Sequence, residues 1–132
     1  MFRRYDIGEN KRGWDTGDCA VRALTIAVPM RSYYDAWNLL YDLQGWHQST
    51  SFKLAEFLRR SPERFPFKIR ALAFPARKGC ARMNGERFCR EYPKGRFILR
   101  LAHHVSVCIN GTILDTWDCT RKCIYNAWEI IG

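Results

Sequence analysis

Hydrophobic positions recur at helical spacing through the first half of the chain and at every second residue through the second half. In "DCAVRALTIAV", Cys19, Ala23, Leu24 and Ala27 keep the helical period. Asp18 is suited to N-cap this helix and Pro29 to stop it. "SYYDAWNLLYDLQG" predicts a second helix with an apolar face of Tyr33, Trp37, Leu40 and Tyr41. Ser32 and Asp35 resemble a capping box there, and Gly45 is a C-terminal signal. "TSFKLAEFLRRSP" predicts a third, shorter helix capped by Thr50 or Ser51. Ahead of these helices, residues 1–17 read as an extended arm ending in a loop, punctuated by Gly8, Gly13 and Gly17.

The period then changes. "FKIRALAF" alternates Phe67, Ile69, Ala71 and Ala73 with Lys68, Arg70 and Leu72, which predicts a strand. "NGERFCREYP" predicts a short helix closed by Pro93, and "GRFILRLA" another strand. "HHVSVCINGTILDTWD" reads as a hairpin, because Asn110-Gly111 is the strongest two-residue turn signal. "KCIYNAWEI" would be the last strand. Helices first and strands second predict an α+β fold, N-terminal helices packed on a C-terminal antiparallel sheet, in one domain over 1–132.

With 132 residues, 47% hydrophobic and 14% aromatic, the chain can bury one real core. The longest uncharged stretch near the N-terminus, "ALTIAVPM", is far too short to span a membrane. The N-terminus has no apolar segment of the secretory kind, so a cytoplasmic protein is expected. Twenty-two Lys and Arg against 13 Asp and Glu give a net charge of +9. That field attracts nucleic acid, anionic surfaces or acidic proteins. The basic residues are scattered and form no stripe with interleaved aromatics, so a nucleic-acid partner is not favoured. Of the six cysteines, Cys80, Cys89, Cys119 and Cys123 could be imagined around zinc, but no CxxC pair occurs. Reduced cysteines, no metal and no cofactor are the expectation.

The candidate chemistry starts at Cys19. A thiol in the first turn of a helix feels the positive end of the dipole and faces unpaired N–H groups, which favour thiolate and can hold an oxyanion. Buried helix cysteines are also common. The hairpin supplies possible partners. A turn at Asn110 and Gly111 pairs Ile109 with Thr112, so Ser106 faces Asp115, His104 faces Trp117 and His103 faces Asp118. His104, Ser106, Asp115 and Trp117 then share one face, and Val105, Val107, Ile109 and Leu114 share the other. Asp115 is a diagonal neighbour of His104 and could fix its tautomer. His103 with Asp118 is the alternative pair.

At these residues a resemblance enters. "GDCAVRALTIA" and "HHVSVCINGTILDTWD" resemble papain-like cysteine peptidases. The likeness is greatest to the small phage-encoded group that is itself similar to the bacteriocin-processing peptidases. NlpC-type cell-wall peptidases share the "DC" and, in part, the "HVSV" strand. In the phage group the glycine lies seven residues after the catalytic histidine, and Gly111 is seven after His104. The resemblance implies a papain-like fold with Cys19 as nucleophile, His104 as base and Asp115 as orienting acid. Papain-like enzymes place an oxyanion-stabilising glutamine about six residues before the cysteine. Gly13 stands there, and Asn10 is the nearest amide.

The expected function is a cysteine peptidase that cleaves a peptide or isopeptide bond of a protein substrate. Two alternatives stay open at this point. One is a non-catalytic viral inhibitor or binding protein on the same fold. The other is a thioester-forming acyltransferase or transglutaminase. Tyr33, Tyr34, Trp46 and His47 could line a cleft, although aromatics at helical spacing more often belong to a core.

Overall fold

A computed structural model of the protein describes residues 1–5, 19–28, 33–44, 54–74 and 82–131. Six strands form one mixed sheet: β1 Phe2–Arg4, β2 Ile69–Ala73, β3 Arg96–Leu101, β4 His104–Ile109, β5 Thr112–Asp115 and β6 Ile124–Ile130. Their order across the sheet is β1-β5-β4-β3-β6-β2. Four α-helices accompany it among the described residues: α1 Cys19–Ala27, α2 Tyr33–Gln44, α3 Leu54–Arg60 and α4 Gly85–Glu91. The architecture is α+β. No helix among these residues is long and apolar enough to cross a membrane.

Two features correct the expected antiparallel sheet under N-terminal helices. The start of the arm is itself a strand, and β1 runs parallel to β5, with Phe2 opposite Ile113 and Arg4 opposite Asp115. Backbone bonds at both ends hold it there, from Ile113 N–H to the Met1 carbonyl and from Tyr5 N–H to the Asp115 carbonyl. The sheet also carries helices on both faces. Residues of α1, α2 and α3 pack with Ile98, Val105, Val107 and Trp128. On the other face Phe88 and Cys89 of α4 pack with Phe97, Leu99, Ile113 and Ile124. The alternation of Phe97, Ile98 and Leu99 in β3 therefore supplies two cores, not one core and one wet face.

Local chemistry accounts for the elements around the site. Asn84 caps α4, its side chain accepting from Arg87 N–H at 2.9 Å. The β4–β5 turn holds Asn110 at φ 49° and Gly111 at φ 78°, the pair of left-handed residues a two-residue hairpin turn demands. Ile109 pairs with Thr112 and Cys108 with Ile113, the register read from the sequence. Strand β2 is an edge strand, and its Ala71 and Ala73 are exposed while Leu72 packs toward the α4 side. The expected caps and stops at Asp18, Pro29, Ser32, Gly45, Thr50 and Ser51 lie outside the described residues.

Candidate active site

The β4–β5 hairpin brings His104 and Asp115 into direct contact. Asp115 Oδ2 lies 2.7 Å from His104 Nε2. The contact is shorter than a diagonal hairpin position suggests. Ser106 Oγ donates to the same carboxylate oxygen at 2.6 Å. Asp115 Oδ1 accepts the Thr116 N–H at 2.7 Å. Both partners of the pair are largely withdrawn from water, His104 being 12% and Asp115 10% exposed. Trp117 stands over the imidazole with ring centroids 4.8 Å apart, a placement that favours a charged ring.

These contacts decide the protonation of the pair. Burial alone would lower the His104 pKa. Hydrogen bonding with Asp115, then with Cys119 and Cys19, and the carboxylate's charge outweigh it and hold the imidazole up at about 11. Burial likewise would raise the Asp115 pKa, and the hydrogen bonds from His104 and Ser106 bring it below its ordinary value instead. The pair at neutral pH is imidazolium and carboxylate.

Cys19 is the first residue of α1 and is partly exposed. Its helix packs on β4, and its side chain is among the groups that hold the His104 pKa up. The strand alternation gives Val105 and Val107 to the α1 side and His104 to the alternate positions. Cys19, Arg22, Ser106, Asp115 and Thr116 line one small pocket between α1 and the hairpin. Since Asp115 occupies Nε2, the ring nitrogen left to a thiol is Nδ1.

His103 does not stand where the strand count put it. Leu101 pairs with His104, so Ala102 and His103 form the tight turn between β3 and β4. Its second position needs a left-handed residue, and His103 has φ 54°. The side chain is exposed and is not on the apolar side beside Asp118. Asp118 instead closes its own turn, with Oδ1 accepting the Thr120 hydroxyl at 2.6 Å and the Thr120 N–H at 3.0 Å. Asn10, Trp46, His47 and Cys80 lie outside the described residues.

One thiol beside the pair was missed. Cys119 is fully buried, and its Sγ donates to Asp115 Oδ2 at 3.6 Å. Cys119, His104 and Asp115 place their ligand atoms within 4.8 Å of one another, a set a metal ion could use. The 2.7 Å between Nε2 and Oδ2 is shorter than the roughly 3.3 Å that two tetrahedral zinc ligands keep. The gap suits a proton. Cys119 follows the end of β5, where no period signals which way a side chain points. Ser106, by contrast, could be found from the register, because it stands opposite Asp115.

A second pair of thiols lies deeper. Cys89 Sγ and Cys108 Sγ are 3.8 Å apart in the core on the α4 side. The hydrogen bond from Cys108 outweighs burial and lowers the Cys89 pKa to about 6, so Cys19 is not alone in having an activating neighbour. Cys89 is only 4% exposed, however, and Cys108 fully buried. Among the described cysteines, Cys19 is the one that joins partial exposure to a part in raising the His104 pKa.

Comparison with protein-family models, with curated proteins and with solved structures finds no match to this chain.

Proposed function

We propose that the chain is a cysteine peptidase with a papain-like arrangement of Cys19, His104 and Asp115. The observation that carries this reading is the buried 2.7 Å contact between His104 Nε2 and Asp115 Oδ2, whose imidazole also takes support from a thiol at the start of a helix. The resemblance of "GDCAVRALTIA" and the hairpin to the phage-encoded papain-like peptidases agrees with it.

The mechanism follows from the charge on the ring. His104 is protonated at neutral pH, so the acid that the leaving nitrogen needs is in place before attack, and Cys19 attacks as its thiolate. The Cys19 sulfur forms a bond to the amide carbonyl carbon, and the carbonyl electrons move to oxygen. The Cys19 N–H lies in the first turn of α1, where helix geometry offers no intrahelical acceptor, and it is the proposed donor to that oxyanion. Asn10 is the proposed second donor. The C–N bond then breaks, and the leaving nitrogen takes the proton from His104. Neutral His104 next removes a proton from water as the water attacks the thioester, and Cys19 departs as thiolate. Asp115 stabilises each charged state of the ring and keeps Nε2 turned toward itself. Transfer to an amine in place of water would use the same steps up to the thioester.

Broadly reactive peptidyl fluoromethyl ketones test the reading, since they alkylate activated active-site thiols. Peptide mapping should find the adduct on Cys19 in the wild type and none in a folded His104→Ala variant. An adduct on Cys119, or none on any cysteine, would contradict it.

A further inference from the structure

A larger cleft opens beside His104. It measures about 690 Å³ and is lined by His103, His104, Glu56, Arg59, Arg100 and Tyr125 among others. A second hollow of about 410 Å³ continues from it, sharing Arg100 and Tyr125 and adding Arg82 and Asn126. Each lies in the size range of sites that seat a ligand.

The charge along this path is mostly basic among the described residues, with Arg59, Arg82 and Arg100 against Glu56. The Arg82 guanidinium lies 4.4 Å and that of Arg100 5.3 Å from the centroid of the Tyr125 ring. Arg100 also donates to Asn126 Oδ1 at 3.0 Å. No carboxylate among the described residues pairs with Arg59, Arg82 or Arg100. Arg82 Nε is fully buried with no hydrogen-bond partner, a donor that costs free energy until an acceptor reaches it. Glu56, the acid on the rim, is already engaged by Arg60 at 3.2 Å.

We infer that this cleft is a binding groove for acidic peptide segments, whose side-chain carboxylates are received by Arg59, Arg100 and Arg82 on the path that ends at His104. The inference deepens the peptidase reading and rests on it for what becomes of the bound chain. Guanidinium forks match carboxylates in geometry as well as charge. Nucleic acid fits less well. Tyr125, the aromatic ring that lines both hollows, is already in contact with two guanidiniums, which leaves a base less of it to stack on. The net charge of +9 would draw acidic chains from a distance.

Fluorescein-labelled hexaglutamate, hexalysine and a short oligothymidylate, followed by anisotropy at fixed salt, test this. Hexaglutamate should bind the wild type and Cys19→Ala alike, and hexalysine neither. Arg59→Gln, a change on an exposed helix end, should weaken hexaglutamate several-fold. Arg82→Gln with Arg100→Gln should weaken it about tenfold or more, with Arg82→Lys and Arg100→Lys restoring part of the loss and showing that the fold survives. Equal binding of hexaglutamate by the wild type and all these variants would overturn the inference. So would tighter binding of oligothymidylate that is lost in the same variants. The two readings fail separately. Binding by Cys19→Ala with no peptide cleaved by the wild type would sink the peptidase and leave the groove. Cleavage indifferent to acidic residues, with no hexaglutamate binding, would sink the groove and leave the peptidase.

Discussion

At the scale of residues, the candidate site is organised by one carboxylate oxygen. Asp115 Oδ2 accepts from His104, Ser106 and Cys119 together. Removing its charge should therefore act on the imidazole before anything else. In Asp115→Asn the His104 pKa should fall from about 11 toward its ordinary 6.5. Under the proposed mechanism the imidazolium is the working form, and it is lost as pH rises through that pKa. The alkaline limb of kcat/KM should then move down by several pH units in the variant, with a loss at pH 7 of about fourfold from deprotonation alone. Asp118→Asn should keep the wild-type profile, because Asn Oδ1 can still accept from Thr120. A larger loss for Asp118→Asn would contradict the assignment. Ser106→Ala leaves Asp115 in place and takes away one buried donor, so it should cost about 1–2 kcal/mol of stability with only part of the activity, by denaturation and rate measured together.

At the scale of elements, the hairpin explains why the His–Asp pair was legible. A two-residue turn admits one register, and strand alternation then assigns every side chain to a face. Ser106, His104, Asp115 and Trp117 fall together for that reason. The same counting failed at His103, because a second tight turn, Ala102–His103, lies where the strand was extended one residue too far. No glycine or asparagine marks that turn. The parallel pairing of β1 was equally hidden, since three residues carry no period and their partner is more than a hundred residues away. The thiol pair of Cys89 and Cys108 depends on α4 docking across the sheet, which no local pattern encodes. The hairpin turn itself is open to test. Gly111 has φ 78°, and a Cβ there would meet the Cys89 carbonyl at 3.1 Å. Gly111→Ala should lower stability by about 1–2 kcal/mol in urea unfolding, from the left-handed backbone alone, and more if the Cys89 carbonyl cannot give way. An unchanged midpoint would mean that the turn is not of this type.

At the scale of the whole molecule, one sheet separates two apolar cores and carries the His104–Asp115 pair at the end of its central hairpin. The pair ties stability to pH in a definite direction. His104 is raised from 6.5 to about 11, so its contribution is complete below 6.5 and is lost as pH rises through about 11. Asp115 is lowered from 3.8, so its contribution is present above 3.8 and is lost as pH falls through its folded value. The pair should be worth most between those ordinary values. Urea midpoints of the wild type and His104→Gln should differ most at about pH 5 and converge by about pH 11. A difference that grows with rising pH would contradict the ion pair.

The central claim is that Cys19 and His104 work as a unit, and the rate of alkylation reads it most directly. Limiting iodoacetamide near neutral pH, quenched at intervals and mapped peptide by peptide, ranks the thiols of the folded protein. The ranking is a fair contest, because Cys123 is exposed and the Cys89 pKa is lowered to about 6. Cys19 should be modified first, and its rate should fall about tenfold or more in His104→Ala, which loses the neighbouring cation. Modification of Cys89, Cys119 or Cys123 ahead of Cys19, or a Cys19 rate indifferent to His104→Ala, would contradict the account.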